Sequence, residues 1–397
     1  MRRSPITPAD HPTLVPKAFY FLYYSSMAAL GPFLGLYYEQ IGLSGRQIGL
    51  LFGIPPLLTL VSAPLWGGLA DATHRHKLLL VVAMVGSSLM VFALSLTPAF
   101  LWLVPLVAAR AFLGAPTMPL IDSTVVAMLD DRRDEYGKQR LWGAVGWGVA
   151  APLVGFLIDR AGLQWMFYSY LMLAMCNLVV STRLPVTDAA IGGQFRQGVR
   201  ALLTNRQWMA FLAAILIGAL SLSFEMGFLS LYMDGLGADK TLMGLALTVG
   251  TISELPVWFF ADRFLKRWGA RRLLAFSLLA CGVQAFGYSW IRNPWLVLVI
   301  QLLHGPAFSA MWAAGVSYVA EIAPEGMRAT AQGLFSGVAM GLRSALGAFI
   351  GGLLYEGLGA ALMFRWGGIS AVLGLVLFIL AGRGSLRLGP KLVKSSR

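Results

Sequence analysis

Apolar residues run through this chain in long blocks, with the polar positions gathered in short gaps between them. The blocks fall near residues 18–38, 47–69, 78–97, 100–126, 141–159 and 164–182, then near 208–233, 241–261, 272–291, 294–320, 329–355 and 360–382. Each can carry a helix of about 20 residues across an apolar layer of about 30 Å. In such a layer every backbone N–H and C=O must be satisfied within the protein, which a helix does by itself. The pattern predicts an all-α integral membrane protein with twelve transmembrane helices. Pro55, Pro56 and Pro64 interrupt the second block, as membrane helices tolerate when neighbours satisfy the freed carbonyls.

The blocks are organised as a repeat. Phe33-Leu-Gly-Leu-Tyr37-Tyr-Glu39-Gln-Ile-Gly42 closes the first, and Phe228-Leu-Ser-Leu-Tyr232-Met-Asp234-Gly-Leu-Gly237 closes the seventh, 195 residues later. Gly49 and Gly244 keep that register. Gly155-x-x-x-Asp159-x-x-Gly162 returns as Gly352-x-x-x-Glu356-x-x-Gly359 at an offset of 197. Near-equal offsets mean two copies with one element order. The expected architecture is two pseudo-symmetric six-helix bundles, residues 1–182 and 208–397, joined by a cytoplasmic linker at 183–207 that holds Gly192, Gly193, Arg196 and Arg200. In a membrane protein such a repeat points to a transporter with its substrate site between the halves.

Composition agrees: of 397 residues 57% are hydrophobic and 12% charged, too apolar for a water-soluble domain. The net charge of +13 would suggest nucleic acid in a soluble protein. Here 24 of the 31 Lys and Arg fall in the N-terminus, every second loop, the linker and the C-terminal tail. Five lie on the opposite side, and Arg110 and Arg343 fall inside spans. By the positive-inside rule both termini are expected to be cytoplasmic, in a multi-pass protein of the cell (inner) membrane. The charge is topological, and no nucleic-acid partner is expected. Cys176 and Cys281 sit in apolar spans of different halves and read as small buried hydrophobes. The first 16 residues show no signal-peptide arrangement.

The second span ends in Gly67-Gly-Leu-Ala-Asp71-Ala-Thr-His-Arg75, which resembles the Gly-x-x-x-Asp loop signature of the major facilitator superfamily. Its expected counterpart is Asp262-Arg263, and together Asp71, Arg75, Asp262 and Arg263 read as a conformational latch, since a carboxylate near a helix end and nearby Arg can hold helices together. Arg110-Ala-Phe-Leu-Gly114 is similar to the Arg-x-x-x-Gly element of that superfamily's fourth span. Tyr136-Gly-Lys-Gln-Arg140-Leu-Trp-Gly-Ala-Val-Gly-Trp147 resembles the start of the fifth span in its lactose-permease and phenylpropionate-permease branch. Gln301-Leu-Leu-His304-Gly-Pro-Ala-Phe308 and Ala331-Gln-Gly-Leu334 resemble spans 10 and 11 of the phenylpropionate-permease-like proteins. The resemblance implies the major facilitator fold. It also implies that Arg140 lines a cavity, that Asp122 pairs with it from 18 residues earlier, and that Trp147 offers a ring for stacking. The match departs from the sugar permeases at Asp122, where they carry glutamate, and at Ala307, where they carry a carboxylate.

Charges inside spans carry the remaining chemistry. Arg110, Asp122, Glu225, Glu254 and Arg343 would each cost about 2.5–3.5 kcal/mol if they faced lipid. They must therefore face a wet cavity or one another. Substrate contacts are expected from Arg140, Trp147, Asp122, Tyr24, Phe308 and Arg343. Proton coupling is expected from Glu225, Glu254 and Asp122 with His304 as relay, because a buried carboxyl or imidazole can load and release a proton near neutral pH, and Arg110 is grouped with them as a coupling residue. The chain lacks nucleotide-binding and hydrolase motifs, so no enzyme activity, cofactor or metal is expected. The expected function is secondary active transport, by alternating access with proton symport, of a small organic solute such as an aromatic acid, a sugar or a nucleoside-like compound. The partners are that solute, H⁺ and the bilayer, with a monomer as the working unit. Two rivals stand beside it: a non-transporting membrane sensor and a proton-driven efflux antiporter. Exporters carry Gly-x-x-x-Gly-Pro-x-x-Gly-Gly in span 5; here those positions read Trp147, Ala151, Pro152, Gly155 and Phe156, which favours import.

Overall fold

The computed structural model describes residues 14–129, 135–184, 199–323 and 327–385, and the described residues are helical apart from short connections. In the first half the helices are α1 (Leu14–Leu30), α2 (Leu34–Gln40), α3 (Gly45–Thr73), α4 (His76–Leu96), α5 (Phe100–Gly114), α6 (Thr117–Leu129), α7 (Tyr136–Ala161) and α8 (Trp165–Ser181). After the short α9 (Val199–Thr204) come α10 (Arg206–Gly218), α11 (Leu220–Gly235), α12 (Lys240–Phe259) and α13 (Ala261–Trp290). The chain ends with α14 (Leu296–Gln301), α15 (Ala310–Ile322), α16 (Arg328–Ser336), α17 (Arg343–Leu358) and α18 (Ala360–Ser385). Among the described residues ten helical stretches are long and apolar enough to cross a membrane. The shorter α8 supplies an eleventh, and α1 with α2, joined by a 3₁₀ turn at Gly31–Phe33, the twelfth. Large apolar side chains cover the outside, Leu101, Phe259 and Trp290 among the most exposed, as a lipid-facing surface requires. This is a multi-pass membrane protein.

The repeat is written into the backbone. Among the described residues, those with left-handed φ fall into three pairs: Gly42 (83°) with Gly237 (80°), His74 (51°) with Gly269 (74°), and Gly162 (95°) with Gly359 (80°). The first two pairs are 195 apart and the third 197, the offsets of the sequence echoes. Left-handed φ is costly for a residue with a Cβ, so glycine occupies five of the six positions and marks where a helix must stop.

Contacts group the chain into two compact units. The first holds the described residues of Met1–Phe33 and Val61–Gly192, the second those of Leu34–Leu60 and Gly193–Arg397. The first is built on Phe19, Tyr20, Leu80, Ile121 and Val125. The second is built on an aromatic nest in which Phe211 lies 5.1–6.4 Å from Tyr318, Phe335 and Phe378. Within the second unit, the start of α3 crosses α17 at backbone contact. A Cβ on Gly49 would stand 2.5 Å from the Ala348 carbonyl, and Gly45 and Gly352 face each other equally closely. Arg46 closes this crossing on Glu356 at 3.2 Å, and the Tyr355 hydroxyl donates to Glu39 at 2.8 Å. That packing is why residues 34–60, which the span count assigns to the first half, group with the second unit.

Candidate functional site

In the first unit, a polar cluster forms where α1, α6 and α7 meet. Arg140 donates from Nη1 to Asp122 (3.3 Å) and to the Tyr136 hydroxyl (3.0 Å), and from Nη2 to the Tyr24 hydroxyl (3.4 Å). Tyr20 donates to the other Asp122 oxygen at 2.7 Å. Two features of the helices allow this. Arg140 and Tyr136 are four residues apart and so share a face of α7. Gly143, one turn on, has no side chain, so the Tyr24 ring lies directly against the helix. Arg140 and Asp122 keep 47% and 28% of their side-chain surface open, so the fork is pre-oriented yet reachable. Trp147 is half-buried two turns along α7. Arg110 lies elsewhere in this unit, its guanidinium 3.7 Å from the Met27 sulfur and 5.9 Å from the Tyr170 ring centre. It has no carboxylate within ion-pair distance among the described residues.

In the second unit, an imidazole stands between two carboxylates. His304 Nδ1 is 3.0 Å from Glu225 Oε1, and its Nε2 is 3.7 Å from Glu254 Oε1. A π-helical turn at Gly305–Ser309 places the residues that follow: Ser309 donates to Glu254 Oε2 at 2.9 Å, and Phe308 stacks on the imidazole at 5.7 Å. The turn fits against α12 because Gly305 has no Cβ; one there would collide with the Ser253 backbone. Trp258, one turn beyond Glu254, donates its indole N–H to Glu254 Oε2 at 3.2 Å. On the other side Gln284 donates to the Tyr288 hydroxyl (3.1 Å), which donates to Glu225 (3.4 Å). Glu225 is thus buried and held from α13, while Glu254 is the more open of the two acids.

Arg343 departs from its expected place in a substrate cavity. It is wholly buried, and its guanidinium donates to the carbonyls of Ala339 (2.6 Å) and Ala219 (3.2 Å). Those carbonyls are exposed by the π-helical turn Gly337–Leu342 and by the break between α10 and α11, so this cation serves the backbone. Asp71 and Asp262 do not stand at equivalent positions of the repeat. Asp71 lies three positions before the left-handed His74, but Asp262 lies seven before the left-handed Gly269; the residue that matches Asp71 is Lys266. The side chain of Asp71 lies outside the described residues, as do most of the linker and the basic tail.

A family model described as the MFS_1 like family matches residues 14–366. The chain belongs to that family of major facilitator transporters. It is 30% identical to the maltose permease of Geobacillus stearothermophilus over 368 residues, covering 92% of this chain and 93% of that protein. It is 26% identical to the probable 3-phenylpropionic acid transporter of Escherichia coli, over 86% of this chain and 90% of that protein. The crystal structure of the nucleoside transporter NupG superposes with a TM-score of 0.84, covering 94% of this chain and 99% of that one, at 17% identity. The twelve-helix major facilitator fold is therefore that of this chain, and it is a secondary transporter of small solutes, with no place for an enzyme.

Several working side chains were not singled out from the sequence. Trp258 sits at i+4 from Glu254, a spacing that could have been noticed. Ser309, five residues after His304, is brought round only by the π-turn. Tyr288 and Gln284 come from another span and carry no local signal.

Proposed function

We propose that this transporter moves a small ring-shaped solute together with a proton, inward across the cell (inner) membrane, as a monomer with both termini cytoplasmic. The reading rests on the second unit's carboxylate–imidazole–carboxylate line. An imidazole within reach of one carboxylate on each of its two nitrogens gives a proton neighbouring sites to occupy and a path between them. Glu225 and Glu254 carry the coupling proton, with His304 as relay. In the first unit Arg140 offers a planar fork suited to a carboxylate or to neighbouring hydroxyls, with Asp122 holding it when empty. Tyr24 and Trp147 supply aromatic surface for a ring beside that fork. Relatives named for maltose and 3-phenylpropionic acid support a ring-bearing solute.

The test is transport in proteoliposomes with maltose, 3-phenylpropionate and uridine as probes. Glu225→Gln and Glu254→Gln should each leave counterflow running while blocking uphill uptake driven by an imposed pH gradient, because only the driven reaction needs a proton gained and lost. Uphill accumulation by both variants would remove the proton from this line.

A further inference from the structure

Between α12 and α13 lies a feature that transport by the two clusters leaves unused. As a single rod, the 30 residues of α13 would be about 45 Å long, well beyond an apolar layer of about 30 Å. The helix is in fact broken at Gly269 (φ 74°, ψ 157°), and the part after the break is long enough to span by itself. Residues 261–268 therefore form a separate piece of about two turns at the membrane boundary. Phe260, Phe264 and Trp268 line one side, with ring centres 6.3 Å and 5.5 Å apart, and Trp268 continues across the break to Phe276 at 5.8 Å. Phe264 and Leu265 anchor that side against the core of the unit. Arg263, Lys266 and Arg267, all exposed, flank that aromatic row.

These basic residues, with Phe259 and Asp262, line a shallow cleft of about 550 Å³. Phe259 is 82% exposed and stands edge-on to Phe260 at 4.9 Å. None of the three cations has an ion-pair or hydrogen-bond partner among the described residues, and the single acid in the cleft leaves an excess of two positive charges. The first half has nothing comparable. Counted from the left-handed residues, Gly68, Asp71 and Ala72 stand where Arg263, Lys266 and Arg267 stand here. The charge is an addition to the repeat: this loop holds five Lys and Arg where its first-half counterpart holds Arg75 and Lys77.

We propose that this cleft binds the phosphate-bearing headgroup of an anionic phospholipid. Unpaired Arg and Lys at the lipid surface attract anionic lipid, and aromatic rings beside them sit at headgroup level with their faces towards the acyl chains. Arg263, Lys266 and Arg267 contact the phosphate. Phe259 and the Phe260–Trp268 side contact the upper chains, and Asp262 favours a headgroup with hydroxyl or amine donors beside its phosphate.

The full-length protein, delipidated in detergent, is titrated with phosphatidylglycerol or with phosphatidylcholine of the same chains, and bound lipid is counted by native mass spectrometry. Phosphatidylglycerol should bind at least tenfold tighter. The triple variant Arg263→Gln, Lys266→Gln, Arg267→Gln should reduce that preference to about twofold, whereas Arg271→Gln with Arg272→Gln should preserve it. A companion variant with Arg263→Lys and Arg267→Lys keeps the charge and should keep the preference, which separates lost charge from lost folding. Equal binding of the two lipids by the wild-type protein overturns the proposal, and so does an undiminished preference in the triple variant. If inorganic phosphate at millimolar concentration displaces the lipid, the site is one for soluble anions and the lipid assignment fails.

Discussion

Arg140 holds its place through geometry more than through charge. Its guanidinium is shared among Asp122, Tyr136 and Tyr24, and a bidentate, planar donor cannot be replaced by the point charge of an ammonium. Arg140→Lys should therefore weaken binding of whichever of maltose, 3-phenylpropionate or uridine the protein takes by tenfold or more, as read by the half-saturation concentration of counterflow. Gly143→Val acts on the same fork indirectly, since a side chain there must displace the Tyr24 ring. It should raise that concentration several-fold with Arg140 intact. Tyr288 is a positioning residue for Glu225. Gln284 donates to its oxygen, so its own proton is directed at the carboxylate. A hydrogen bond to a charged group contributes about 1.5–3 kcal/mol, and at 3.4 Å this one belongs at the low end. Tyr288→Phe should slow proton-driven uptake several-fold while leaving counterflow half-saturation within twofold. A loss of both in equal measure would mark Tyr288 as structural only.

Two helix irregularities decide what the elements can do. The π-turn Gly305–Ser309 brings Ser309 onto Glu254, and the π-turn Gly337–Leu342 frees the Ala339 carbonyl that Arg343 takes. The crossing of α3 and α17 depends on glycine. Its ion pair Arg46–Glu356 is 65% and 32% exposed and, as a surface pair, contributes about 0–1 kcal/mol. The backbone contact at Gly49 and Gly352 admits no Cβ at all. Gly352→Val should thus lower the melting temperature in detergent by several degrees, whereas Glu356→Gln should change it little. Comparable shifts would mean that charge and not close approach holds these helices.

For the molecule as a whole, the three pairs of left-handed residues tie the two copies of the repeat together at the ends of equivalent helices. Where the copies differ, function is to be sought. The basic turn before Gly269 is one such difference, and the carboxylate–imidazole–carboxylate line is another. His304 corresponds in the first half to residue 109, an alanine, at the 195 offset.

The spans, the repeat with its glycine echoes, the block ends at Gly42 and Gly237, and the pairing of Asp122 with Arg140 were all legible along the chain. Each follows from something local or periodic, or from a family resemblance tied to spacing: the length of an apolar block, the φ values that only glycine adopts cheaply, the offset between echoes. The sequence also implied that Glu225 and Glu254 needed partners, because lipid offers none. It did not determine which partners they take. Tyr20 reaching Asp122, Tyr288 reaching Glu225 and His304 lying between two acids all join helices far apart in the chain, and such meetings depend on how each helix is rotated in its bundle. Arg343 shows the same limit from the other side. Its charge inside an apolar span suggested a cavity, and only the packing of α10, α11 and α17 revealed backbone carbonyls left open for it to fill.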